Sequence, residues 1–233
     1  VAARFMAPWG LAADGNGNLF VADGFTYSNR KIVIATGEVS TLAGPADLNL
    51  TGCTDGIGVA ARFGFTRGLT FDANSGNLFV ADMGCNSIRK IVISTGKVTT
   101  VAGSGNGTMG GTGSTDGIGS AARFHSPYDV TADASGNLYV ADTGNFMVRK
   151  IKVNTGEVTT VAGLAGTTGS VDGIGTAALF DAPEGIVFDA TSGNVFVSDT
   201  SNFTIRKIII ASGEVSTVAG SPGIEGITNG AGT

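Results

Sequence analysis

What most constrains this chain is that it says nearly the same thing four times. The phrases "TDGIGVAARF" at Thr54–Phe63, "TDGIGSAARF" at Thr115–Phe124 and "VDGIGTAALF" at Val171–Phe180 are variants of one another. Their first half is echoed by "EGITNGAGT" at Glu225–Thr233 and their second half by "VAARF" at Val1–Phe5. Phe5, Phe63, Phe124 and Phe180 mark one point in successive units, 58, 61 and 56 residues apart. The step from Phe180 through Thr233 and round to Phe5 is again 58. Self-similarity at such a period implies supersecondary units that bury their faces against one another.

Each unit reads as four strands. In the third they are expected at Asp129–Ala132, Asn137–Ala141, Met147–Val153 and Glu157–Val161, as short apolar runs between turn residues. "DASGN" joins the first two and "NTG" the last two, with Gly supplying the positive φ of a tight hairpin. Corresponding turns are "DGNGN" and "ATG", "DANSGN" and "STG", "DATSGN" and "ASG"; the first turn is one residue longer in units two and four. The 38 glycines among 233 residues fit so many turns. Four short antiparallel strands per unit predict an all-β fold, a β-propeller with four four-stranded blades. The expected blades are approximately 1–53, 54–114, 115–170 and 171–233. The array is either a four-bladed ring or part of a larger propeller or array. On this reading the phrase split between the ends marks a repeat boundary, and "VAARF" continues "TNGAGT" within one ring or into the next unit.

The residues also carry a family resemblance. Unit one has Pro8–Gly10, Asp14, Gly17–Asp23 and Arg30–Ile32; unit four has Pro183–Ile186, Asp189, Gly193–Asp199 and Asn202–Ile208. This pattern resembles the NHL repeat and recurs four times in register. Unit two departs with Thr66 in place of the proline, and unit three with Asp129 in place of the glycine. The long "DGIGxAARF" connector resembles the form found in bacterial secreted or surface NHL proteins. The resemblance implies a propeller that binds other proteins, usually with six blades. Some relatives are lyases or hydrolases that use a metal in the central channel.

Charge and composition narrow the function. Net charge is −5, which removes the main electrostatic term for nucleic-acid binding. No apolar run approaches the ~18 residues of a membrane-spanning helix, so membrane insertion is not expected. Two cysteines do not make a four-thiolate metal site, and one histidine, His125, rules out histidine-rich centres. His125 stands beside Ser126, but neighbours on an extended chain point to opposite sides, so no nucleophile and base are read there. "DGNGN" at Asp14–Asn18 has the oxygen spacing of a calcium loop, yet a hairpin explains the same residues and no glutamate follows at EF-hand distance. No cofactor, metal or catalytic residue is expected.

A residue repeated in every unit more often holds the unit than performs chemistry. The pairs Asp23 and Arg30, Asp82 and Arg89, Asp142 and Arg149, Asp199 and Arg206 are read as structural, with a charged ring lining the channel as the alternative. Variation is more informative. "MAPWG", "GFTRG", "HSPYD" and "DAPEG" precede the first strands and should crowd one mouth of the channel. They nominate Trp9, Arg67, His125, Tyr128 and Glu184 as a binding mouth, since Trp, Tyr and Arg dominate binding hot spots. Channel-lining positions would be Ala12, Thr70, Thr131 and Val187, poor ligands for a metal. Loops after the second strands carry Phe25, Tyr27, Phe146 and Phe203, as blade packing or a contact face.

Cys53, just before the "TDGIG" that enters the second unit, and Cys85, in that unit's loop between second and third strands, are expected to form a disulfide, which implies an oxidising, extracytoplasmic compartment. Acceptor sequons at Asn49, Asn106 and Asn202 point the same way. The expectation is a non-catalytic extracellular or cell-surface glycoprotein, a structural or binding module. It would build a larger assembly or fibre, with protein partners or head-to-tail copies of itself, and glycans as further ligands. The alternative is a propeller-type lyase or hydrolase with a metal in its channel.

Overall fold

The computed structural model describes residues 2–45, 50–104, 111–230 and 232. Four antiparallel sheets follow one another along the chain. The first contains β1 (Pro8–Ala13), β2 (Asn18–Asp23), β3 (Ser28–Val33) and β4 (Glu38–Ala43). The second contains β5 (Gly56–Ile57), β6 (Thr66–Asp72), β7 (Asn77–Asp82), β8 (Ser87–Val92) and β9 (Lys97–Gly103). The third contains β10 (Gly117–Ile118), β11 (Pro127–Ala132), β12 (Asn137–Asp142), β13 (Met147–Lys152) and β14 (Glu157–Ala162). The fourth contains β15 (Gly173–Ile174), β16 (Pro183–Asp189), β17 (Asn194–Asp199), β18 (Thr204–Ile209) and β19 (Glu214–Ala219). The inner strands β1, β6, β11 and β16 pack in that order. This is a β-propeller arrangement of blades.

The second strand of each blade explains how the blades stack. "NLFVAD", "NLYVAD" and "NVFVSD" are apolar on both faces, as a strand sandwiched between two layers must be. Alternate residues go to opposite neighbours. Phe20 and Ala22 of blade one meet Leu78 and Val80 of blade two. Phe79 and Ala81 meet Leu138 and Val140, and Tyr139 and Ala141 meet Val195 and Val197. Each of these three cores also receives the repeated connector phenylalanine, Phe63, Phe124 or Phe180. The core therefore lies between blades rather than within one.

The four expected strands are present in every blade, and blades two to four carry one more. There the "GI" of the connector adds a two-residue fifth strand outside the fourth, with Gly56 opposite Val98 and Ile57 opposite Lys97. A pair containing glycine has no alternation to betray it in the sequence. The next glycine makes a clasp. Gly58, at φ +54°, donates its N–H to Gly96 O of its own blade at 2.9 Å, and its carbonyl accepts the Gly44 N–H of the preceding blade at 3.1 Å. Gly175 does the same between blades three and four, donating to Gly213 O and accepting from Gly163. The left-handed φ is what aims both groups outward, and glycine adopts it without steric cost.

The two outer flanks are unmatched. Leu11 on blade one is 60% exposed, whereas its counterparts Leu69 and Ile186 are 6% exposed. On blade four Ile205 is 41% exposed, whereas Ile88 and Val148 at the same position are fully buried. Val187 is likewise open to solvent. Packing of inner strands joins consecutive blades, and among the described residues no comparable packing joins β16 to β1.

Candidate functional site: the mouth of the channel

The repeated aspartates and arginines pair with one another in every blade. Arg89 Nη1 donates to Asp82 Oδ2 at 2.9 Å and Arg89 Nη2 to Asp55 Oδ1 of the connector at 2.8 Å, with both Arg89 and Asp82 fully buried. Asp82 Oδ1 meanwhile accepts the Gly64 N–H at 2.9 Å, and the Phe63 ring lies 5.1 Å from the guanidinium carbon. Burial pushes the Asp82 carboxyl up from its ordinary value, and the Arg89 charge opposes that push. Arg149 and Arg206 repeat the arrangement with Asp142 and Asp116, and with Asp199 and Asp172. Each guanidinium pins its connector to the end of the second strand by charge-assisted bonds. In blade one the pair is looser, with Arg30 4.0 Å from Asp23. None of these side chains lines the mouth or the channel.

The variable segments converge as the sequence suggests. Trp9, Arg67, Tyr128 and Glu184 line one cavity of about 240 Å³, together with Gly10, Gly68, Asp129 and Gly185. Each of the four sits near the start of an inner strand, so consecutive blades set them side by side. The Arg67 guanidinium carbon stacks 4.1 Å from the Trp9 ring centroid and 4.1 Å from that of Tyr128, a cation held between two aromatic faces. Its Nη2 donates to the Tyr128 hydroxyl at 3.4 Å, and its Nε is buried without a partner. Among the described residues no carboxylate pairs with Arg67.

Asp129 is the residue of this site that the sequence marks only as a departure from pattern. It takes the place of Gly10, Gly68 and Gly185, and it lines both the mouth and the channel below. Its Oδ2 accepts the Ile186 N–H of the next blade at 3.0 Å and its Oδ1 the Val130 N–H at 2.8 Å. Burial pushes its carboxyl up to about 6, opposed by those two donors. The rule that deviations from a repeat are candidates would have found it. Ala12, Thr70, Thr131 and Val187 do line the channel. Among the described residues no group of three or more His, Cys, Asp or Glu is placed to hold a metal ion.

His125 does not join the mouth. It is exposed and absent from the cavity wall, and its backbone N–H is spent on Asp142 Oδ1 at 2.8 Å. Of the face-loop aromatics, Phe25 and Phe203 are exposed, while Tyr27 and Phe146 are half-buried and close their turns at positive φ. Phe25 packs edge-on against Phe65, 5.0 Å between centroids. Asp14 spends its oxygens on its own turn, accepting from the N–H groups of Asn16 and Asn18 and from Asn18 Nδ2. Cys53 and Cys85 are joined in a disulfide with Cα atoms 5.6 Å apart. Asn49 and Asn106 lie outside the described residues. Asn202 is buried and its Nδ2, the atom a glycan would use, donates to Gly169 O and Asp199 Oδ2, both at 2.7 Å. Glycosylation there is corrected on that ground.

Fold and mouth together define a β-propeller whose blades repeat one sequence unit. No protein-family model matches the chain. The unit is nonetheless the NHL repeat, and the chain is an NHL-repeat β-propeller. It is 32% identical over 180 residues to NHL repeat-containing protein 2 of Bos taurus, a match covering 73% of this chain and 24% of that protein. The chain thus spans about a quarter of that relative's length. Among solved structures it is similar to an auxiliary nutrient binding protein from Bacteroides ovatus, with TM-score 0.66, 18% identity and coverage of 92% and 49%. It is also similar to streptogramin B lyase, with TM-score 0.62, 12% identity and coverage of 93% and 56%. These structural likenesses concern the fold. No helix among the described residues is long and apolar enough to cross a membrane.

Proposed function

We propose that the chain is a non-catalytic structural and binding module of a larger extracytoplasmic assembly, joined to a further blade of its own kind at each flank. The supporting observation is the mismatch in burial. Residues sealed in all three internal interfaces, at the positions of Leu11 and Ile205, stand open on the two outer faces. One flank is the leading face of a blade and the other a trailing face, so the two are complementary in the same way as the internal interfaces. Exposed apolar sheet faces of this kind are interaction surfaces, and a head-to-tail contact that does not close on itself generates an open array. The Cys53–Cys85 disulfide supports an oxidising compartment.

Light scattering on the purified chain tests the reading. Assemblies larger than one chain are expected at high micromolar concentration, and Leu11→Lys and Ile205→Glu should each dissolve them while leaving the blades folded. A parent protein that stays a single-chain species at every concentration would sink the head-to-tail reading.

A further inference from the structure

We propose that the mouth between Trp9, Arg67, Tyr128 and Glu184 binds a small zwitterion, a ligand that carries both a carboxylate and an ammonium group. This goes beyond the assembly reading and does not rest on it.

The first observation is an uncompensated cation. Arg89, Arg149 and Arg206 are each neutralised by two aspartates. Arg67 has no carboxylate partner among the described residues, only the Tyr128 hydroxyl at 3.4 Å. The Trp9 and Tyr128 ring centroids each lie 4.1 Å from its guanidinium carbon, which holds the group in place, and among the described residues its Nη1 has no acceptor and is left to bond. A fixed guanidinium edge matches a carboxylate bidentately. Because the two rings already hold the side chain, little further ordering is needed on binding.

The second observation is uncompensated acid in the same cavity. Glu184 lines it, half-buried, and its side chain forms no ion pair or hydrogen bond among the described residues. Asp129 lines the same cavity, and among the described residues its carboxylate accepts only from the backbone N–H groups of Val130 and Ile186. Opposite charges in a common pocket ordinarily pair. Here Tyr128, stacked on Arg67, stands between the guanidinium and Glu184 in the order of the blades. A simple carboxylate entering the cavity meets the repulsion of Glu184 and Asp129, and a simple amine meets that of Arg67. A ligand with one charge at each end satisfies both, and about 240 Å³ accommodates something the size of an amino acid.

Trp9 is the chain's sole tryptophan and carries Arg67 on its ring, so its fluorescence reports on the site. The probes are glycine, β-alanine, γ-aminobutyrate and 6-aminohexanoate, with butyrate and butylamine as half-ligands, each followed by fluorescence and by calorimetry. At least one zwitterion should saturate the site at a concentration about tenfold below either half-ligand, the factor expected for one added charge contact. Calorimetry on Arg67→Gln should show that affinity falling about tenfold, and on Glu184→Gln the advantage of the zwitterion over butyrate should shrink, with Asp129 still in place. Arg67→Lys, which keeps the charge without the fork, should bind more weakly than the parent. Unchanged melting temperatures confirm that the variants are folded. Absence of saturable binding for the whole series overturns the proposal. So does equal affinity of butyrate and the best zwitterion, or unchanged affinity in folded Arg67→Gln.

Discussion

The carboxylate of Asp129 lies against the α-carbon of Gly68 on the neighbouring inner strand, in space that any side chain at position 68 would fill. A β-carbon there would collide with Asp129 Oδ1, and would stand 2.6 Å from its Cγ and 2.7 Å from its Cα. Gly68→Ala should therefore destabilise the protein by about 1–3 kcal/mol, the usual cost of overpacking. Asp129→Gly should relieve only part of this, because the main chain at position 129 still crowds the added methyl group. A double-mutant cycle by chemical denaturation should give a coupling near ~1 kcal/mol.

The same aspartate makes stability depend on pH. Its folded value, about 6, lies above the ordinary 3.8, so the folded chain holds a proton there that the unfolded chain has released. Stability relative to Asp129→Asn should be greatest below about pH 4 and fall as pH rises to about 6, by roughly 1–3 kcal/mol. Above that window the difference should stay constant. The other buried acids are common to both proteins and cancel. Denaturation midpoints measured for the pair from about pH 3.5 to 8 check this, and parallel curves would contradict it.

Arg89 and Arg30 occupy equivalent places but should respond differently to removal. Arg89→Met strands Asp82 in a fully buried site, and the expected cost is about 3–5 kcal/mol. Arg30 sits 4.0 Å from Asp23 and is partly exposed, so Arg30→Met should cost clearly less. Thermal unfolding of the two variants side by side gives the comparison. Equal losses would mean that the buried geometry contributes nothing beyond the pair itself.

Reduction of the Cys53–Cys85 bond removes a crosslink across 32 residues of sequence. Chain entropy puts the expected loss at roughly 3–4 kcal/mol. Melting with and without a thiol reductant measures it, and Cys53→Ser with Cys85→Ser should reproduce the reduced value.

How much of the fold and the mouth is legible in the sequence varies with the physics involved. The third blade shows the limit of strand reading. Asn137–Ala141 is expected and Asn137–Asp142 is found, because an apolar run between turn residues carries its own boundaries. Trp9, Arg67, Tyr128 and Glu184 can be brought together from their common place in the repeat alone. His125 cannot be excluded that way, because the chain turns sharply at Ser126, φ +49°, and only the backbone path decides which neighbour faces the channel. The outer "GI" strands are hidden because two residues have no period. The role of Asp55, Asp116 and Asp172 is hidden for another reason. Their partners lie 33 or 34 residues away, a distance no local pattern spans.

The glycine clasp has a consequence for how such a molecule changes length. Gly58 and Gly175 each fasten the blade that follows to the blade that precedes, using only main-chain atoms of the connector. A duplicated or deleted segment that runs from one clasp to the next carries its own fastening with it. Every new seam is then a copy of an old one, so the gene can gain or lose whole blades without inventing an interface.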